Sequence, residues 1–147
     1  MSRDKKDLHP TLVEAYDMAC AEYKNLYSKD PQPFLTCTFR SNEEQLRLFN
    51  QPKDGKDNNG NGIIDEASEK VTQALPGQSP HNFMPSFAFD IGFINTSTQK
   101  MDWNIKYFKQ FSECIKKVSG VTECGIDWKF KDAPHFELKG WKQLKHL

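Results

Sequence analysis

The chain has 147 residues, 37% hydrophobic and 27% charged, with 20 basic residues balancing 20 acidic ones. That length fits one domain whose core needs no covalent staples, and eleven Phe, four Tyr and three Trp argue against disorder. Zero net charge speaks against a nucleic-acid-binding domain, which relies on a basic excess, and no apolar run approaches a membrane span.

The N-terminal MSRDKKDLHP is charged and lacks the apolar stretch of a signal peptide, so the expectation is a soluble, monomeric product made in the cytoplasm. Residues 10–27 read as an amphipathic helix, with Leu12, Tyr16, Ala19, Tyr23 and Leu26 at helical spacing and Pro10 in the first turn, where a missing N–H costs nothing. Phe34 to Phe39 reads as a strand, with Phe34, Thr36 and Thr38 on one side and Leu35, Cys37 and Phe39 on the other. Ser41-Asn42-Glu43-Glu44 is a capping box that opens a second helix, for which Leu46 and Phe49 supply the apolar face.

A polar segment spans residues 51–78, long enough to be functional or disordered. Within it, Asp57, Asn59 and Asn61 fall at positions one, three and five of an EF-hand-like calcium loop, with Gly62 at the sharp turn and Ile64 at position eight. Ser68 stands where a bidentate Glu is expected, so Asp65 and Glu66 would substitute in a shortened loop. Calcium there would order the rim of a cleft; the competing reading is a flexible Asn/Gly surface loop.

Ser86 to Ile94 is the clearest strand: Phe87, Phe89, Ile91 and Phe93 alternate with Ser86, Ala88, Asp90 and Gly92. Its small face carries a single carboxylate. Asn104 to Val118 reads as a third helix with Ile105, Phe108, Phe111, Cys114, Ile115 and Val118 on its stripe, ended by Gly120. Glu123 to Leu138 reads as a hairpin, and the basic stretch Lys139 to Lys145 as a solvated helix end. No repeat or second domain interrupts residues 1–147. Cys20, Cys37, Cys114 and Cys124 form no CxxC pair, which points to free thiols rather than a cysteine zinc site.

Four histidines are present, and two sit in dense polar patterns: Ser79-Pro80-His81 leading to Asp90, and Asp132-Ala133-Pro134-His135-Phe136-Glu137. His9 and His146 lie near the termini without such company. Two imidazoles and a carboxylate form a catalytic zinc set with its fourth position open, and a carboxylate three residues before a ligand histidine can act as general base. The competing reading is two packed or surface histidines and a turn aspartate. Trp128 reads as an aromatic wall or as core. Glu137, two residues after His135, would share its strand face as a hydrogen-bond partner or stand solvated.

The strings SPHNFMPSFAFDI and GIDWKFKDAPHFEL resemble the two metal motifs of the zinc D-alanyl-D-alanine carboxypeptidase superfamily, and more closely its L-alanyl-D-glutamate endopeptidase branch, which includes phage endolysins. The likeness covers Phe34 to Trp141. It implies an α+β fold, a small antiparallel sheet packed by helices as in hedgehog and D-Ala-D-Ala peptidases. It implies zinc held by His81, Asp90 and His135, with Asp132 as general base and Ser79 lining the site. Phe39-Arg40-Ser41-Asn42-Glu43-Glu44-Gln45 resembles the family's FRS-x-x-EQ signature, which implies that Arg40 and Gln45 contact a peptidoglycan stem peptide. The step from His81 to Asp90 is longer than the family's, with Met84-Pro85 as the extra pair, and Ser86 stands where glycine is usual. The resemblance further implies a phage lysis enzyme released to the cell wall by a separate membrane-permeabilising protein. The rival readings are a D-alanyl-D-alanine carboxypeptidase or dipeptidase of the same superfamily, and a catalytically idle wall-binding module.

Overall fold

Four short strands and four helices make up the computed structural model, which describes residues 1–65, 67 and 72–145. In chain order they are α1 (Pro10–Leu26), β1 (Phe34–Cys37), α2 (Asn42–Phe49), β2 (Ala88–Gly92), α3 (Ile105–Val118), β3 (Thr122–Cys124), β4 (His135–Leu138) and α4 (Trp141–Leu144). The helix starts follow side-chain chemistry. Ser41 accepts the amide of Glu44, and Asn104 that of Lys106, so orphan N–H groups of α2 and α3 are satisfied locally. No helix among the described residues is long and apolar enough to cross a membrane.

The sheet runs β1-β2-β4-β3 and every pairing is antiparallel. Its two faces do different work. Phe89, Ile91, Phe136 and Leu138 project to one side and pack with Leu12, Tyr23, Phe108, Phe111 and Ile115 from α1 and α3. Phe136 stacks on Phe89 with centroids 5.3 Å apart and meets Phe111 edge-on at 5.1 Å. By strand alternation, Asp90, His135 and Glu137 project to the other side, where α1 and α3 do not reach.

Several expectations shift for physical reasons. A bulge between Leu35 and Cys37 breaks the simple alternation in β1: Leu35 pairs with Ile91, but Cys37 pairs with Asp90. Cys37 therefore leaves the side of Leu35 and joins the Asp90 face, a re-aiming that bulges produce. In α2 the buried residue is Gln45, whereas Leu46 is 45% exposed, so a polar network rather than an apolar stripe anchors that helix. Ile105 on α3 is likewise exposed, and the helix ends on an extended Ser119. All four cysteines are free thiols. The charged N-terminus is strapped across the sheet end, with Ser2 N–H bonded to Phe39 O, Thr38 N–H to Ser2 O and Ser86 N–H to Asp7 O.

Because Phe136 is fully buried between two rings, Phe136→Ala is expected to remove about 3–5 kcal/mol of stability. The check is a lower denaturant midpoint at an unchanged m-value.

Candidate metal centre and cleft

Cross-strand pairing builds the site. Cys37, Asp90 and His135 stand in register on β1, β2 and β4, one row across three strands. His81 comes from a separate turn, Pro80–Asn82, capped by Ser79, whose hydroxyl accepts the His81 amide at 3.2 Å. The longer step to Asp90 is taken up by an exposed Met84 and a cis Pro85. Buried Ser86, where glycine was expected, places its hydroxyl 2.8 Å from both Thr38 O and Ala88 O, with one hydrogen to share between these two acceptors.

The two imidazoles meet one carboxylate oxygen. His81 Nε2 lies 3.3 Å and His135 Nδ1 3.0 Å from Asp90 Oδ1. The far nitrogen of each ring faces a group that accepts: His81 Nδ1 is 2.7 Å from Thr38 O, and His135 Nε2 is 2.8 Å from Glu137 Oε1. Those far nitrogens must therefore carry hydrogens, which points the lone pair of each neutral ring at a carboxylate oxygen. Such a cluster needs added positive charge, either a second proton on each ring or a shared cation. Metal bonds of about 2.0–2.1 Å at tetrahedral angles separate neighbouring N and O donors by about 3.3 Å, close to the spacing here. The donor set suits zinc, and each histidine has the oriented outer partner that metal-bound imidazoles ordinarily have.

Electrostatics agree. Burial works against the imidazolium forms, but Asp90, joined by Cys37 at His81 and Glu137 at His135, outweighs it and lifts His81 to about 10 and His135 to about 9. Burial alone would raise the Asp90 carboxyl, yet the two histidines hold it well below its ordinary value. Loss of water around Asp132 raises its carboxyl, opposed by His135 and reinforced by Asp90.

One strict convergence has a different membership. Ligating atoms of Cys37, His81 and Asp90 lie within 4.8 Å of one another, the group of this kind found among the described residues. Cys37 Sγ approaches His81 on its Nδ1 side, at 3.6 Å, where that nitrogen already bonds Thr38 O. His81 and Asp90 are common to that group and to the predicted zinc set, and His135 meets the same Asp90 oxygen from β4.

The remaining predicted residues divide. Arg40, Ser79, Trp128 and Asp132 line a cleft of about 480 Å³ with the histidines, and the Trp128 ring lies 5.2 Å from His135. Arg40 Nη2 is 3.9 Å from Asp90 Oδ2, Nη1 donates to Gln45 Oε1 at 3.1 Å, and its buried Nε has no partner among the described residues. Gln45 does not reach the cleft. Its amide binds Arg40, Asn82, Thr72 and the Ala74 carbonyl, so it braces Arg40 and one cleft wall. Glu137 is the fixed partner of His135 and also accepts Trp141 Nε1 at 2.8 Å. Asp132 is held by its amide on Gly125 O at 2.9 Å; a Cβ at Gly125 would overlap the Asp132 carbonyl oxygen.

Cys37 and Asn82 are the residues sequence reasoning missed. The bulge hid the first, and for Asn82 only its place directly after His81 offered a signal. The calcium expectation gains no support. Asp57 accepts the amides of Gly60 and Gly62, Asp65 accepts that of Gly55, and Asn59 and Asn61 accept the amides of Asn61 and Ile63. These are the loop's own turns, while Glu66, Ser68 and His146 lie outside the described residues.

The fold is similar to that of two solved peptidases. It matches Serratia marcescens L-Ala D-Glu endopeptidase ChiX with a TM-score of 0.63 at 19% identity, covering 95% of this chain and 86% of that one. It also matches the vancomycin-resistance D,D-pentapeptidase VanY of a VanB-type cassette, solved with Zn(II), with a TM-score of 0.60 at 13% identity, covering 95% and 79%. The α+β fold of those two peptidases is thus the fold of this chain. No protein-family model and no curated protein sequence matches it.

The histidine values set a pH dependence. Both folded values lie above the ordinary 6.5, so their stabilisation is complete below about 6.5 and lost as pH rises through about 9 and 10. Asp90 is depressed from 3.8, so its contribution is present above that value and lost in acid. Metal-stripped protein should melt highest between pH 3.8 and 6.5 and progressively lower towards pH 10, and Asp90→Asn should flatten that slope. A melting temperature level across the range would contradict the charge balance described.

Proposed function

We propose that the protein is a zinc-dependent peptidoglycan peptidase that hydrolyses the L-alanyl-D-glutamate bond of stem peptides. The observation that carries this reading is the Asp90 oxygen held by His81 Nε2 and His135 Nδ1 while both far nitrogens are tied to acceptors. In it, His81, Asp90 and His135 hold the zinc. When bound, zinc polarises the scissile carbonyl and lowers the pKa of water towards neutrality.

The chain's own groups supply the rest. Asp132, raised by desolvation and anchored on Gly125, accepts the proton that the attacking water gives up and returns it to the leaving amine. Arg40 lines the cleft beside Asp90, and its guanidinium suits a stem-peptide carboxylate or the developing oxyanion. Trp128 gives the substrate an apolar wall. Cys37 and Thr38 O fix His81; Glu137 fixes His135.

The fold likeness to a D,D-pentapeptidase supports a second reading, hydrolysis of the terminal D-alanyl bond. Product mass spectrometry separates the two: stem peptides freed from L-alanine favour the endopeptidase, single D-alanine the carboxypeptidase. No product from zinc-loaded, folded protein would leave a wall-binding module. We extend the proposal to a phage-type endolysin that acts on the wall as a monomer after release from the cytoplasm. Calcium at the 57–65 loop rests on residue spacing alone and has no part in this chemistry.

Asp132→Asn is expected to lower kcat/KM by about 10²–10⁴-fold at unchanged zinc content, whereas His81→Ala should lose both zinc and turnover. Equal zinc loss in the two variants, read by atomic absorption, would remove the assigned roles.

A further inference from the structure

A second hollow adjoins the histidine-lined cleft. Gln73, Ala74 and Gln78 line the cleft that holds His81 and His135 and also this hollow of about 510 Å³, whose other lining residues are Trp141, Lys142 and Lys145. The shared wall is rigid, because buried Gln45 bonds both Thr72 Oγ1 and the Ala74 carbonyl. The floor is tied to the catalytic end as well: Trp141 Nε1 donates to Glu137 Oε2, the other oxygen of the carboxylate that holds His135.

Two ammonium groups share that floor. Lys142 Nζ lies 5.9 Å and Lys145 Nζ 5.5 Å from the centroid of the Trp141 indole, and Lys145 is also 6.0 Å from the Phe83 ring. Among the described residues neither lysine has a carboxylate partner within ion-pair distance, whereas Lys5, Lys6, Lys116 and Lys117 each have one. Cation–π contact restrains both side chains over one ring. An anion entering the hollow meets two ammonium groups that no carboxylate pairs among the described residues. The adjoining cleft is lined by Asp90, Asp132 and Glu137, so Lys142 and Lys145 form a cationic hollow beside it.

We infer that the Lys142–Lys145 hollow is a subsite for the carboxylate-bearing segment of the substrate, the part C-terminal to the cleaved bond. This rests on the peptidase reading above and extends it: peptides with free carboxylates along that segment are preferred over those with amidated ones.

The test measures binding of the C-terminal product peptide, beginning at D-glutamate, to the zinc-loaded protein by calorimetry, with the peptide's carboxylates either free or amidated. Wild type should bind the free form about five- to tenfold more tightly, with the difference shrinking as salt rises. Lys142→Gln with Lys145→Gln should abolish the preference. Lys142→Arg with Lys145→Arg should restore it, which excludes a merely structural effect, and Lys6→Gln should change nothing. Equal affinity for both peptides, or a preference that survives the double Gln variant, overturns the subsite. Because product binding needs no turnover, a protein that shows the lysine-dependent preference but cleaves nothing would overturn the peptidase reading alone. One that cleaves without the preference would overturn the subsite alone.

Discussion

Asp90 sits where the requirements of the molecule meet. Its carboxylate is surrounded by two buried imidazoles and the Arg40 guanidinium, and a buried charge persists only where opposite charge and hydrogen bonds compensate it. Each imidazole is in turn fixed by an acceptor on its outer nitrogen. To satisfy the cluster the chain must deliver four side chains, from β2, β4, the 80–82 turn and the residue just ahead of the α2 cap.

The sheet makes that delivery possible by separating labour between its faces. Alternation on β2 and β4 sends Phe89, Ile91, Phe136 and Leu138 into the core beneath α1 and α3, and the same alternation sends Asp90, His135 and Glu137 the other way. The hydrophobic effect stabilises one face; on the other, polar groups hold one another in place. Gln45 shows how far the polar side goes, since its buried amide organises Arg40, Asn82 and the 72–74 wall together.

How much of this could be read from sequence follows from that division. The period-two pattern around Phe89 and the 3.6-residue stripes of α1 and α3 are local and dense, so the core and the placing of Asp90 were legible. His81, His135 and Asp132 were visible as candidates because two motifs pair a histidine with a carboxylate, although only the fold brings them together. Cys37 was misassigned because a one-residue bulge inverts parity without a sequence mark. Leu46 and Gln45 exchanged roles because a polar anchor replaced the apolar one that helical periodicity assumes. The polar stretch 51–78 gave no hint that residues 72–74 and 78 wall the cleft, since that depends on a distant glutamine.

The forked bonding of Glu137, one oxygen to His135 and the other to the Trp141 indole N–H, has an optical consequence. Indole emission responds to the hydrogen bond its nitrogen makes, so an ion arriving at His135 would redistribute charge on Glu137 and alter the colour and yield of Trp141 light. Under the proposed zinc reading, Trp141 emission would report metal arrival at His135 in the unlabelled chain, once Trp128, 5.2 Å from the same ring, is replaced.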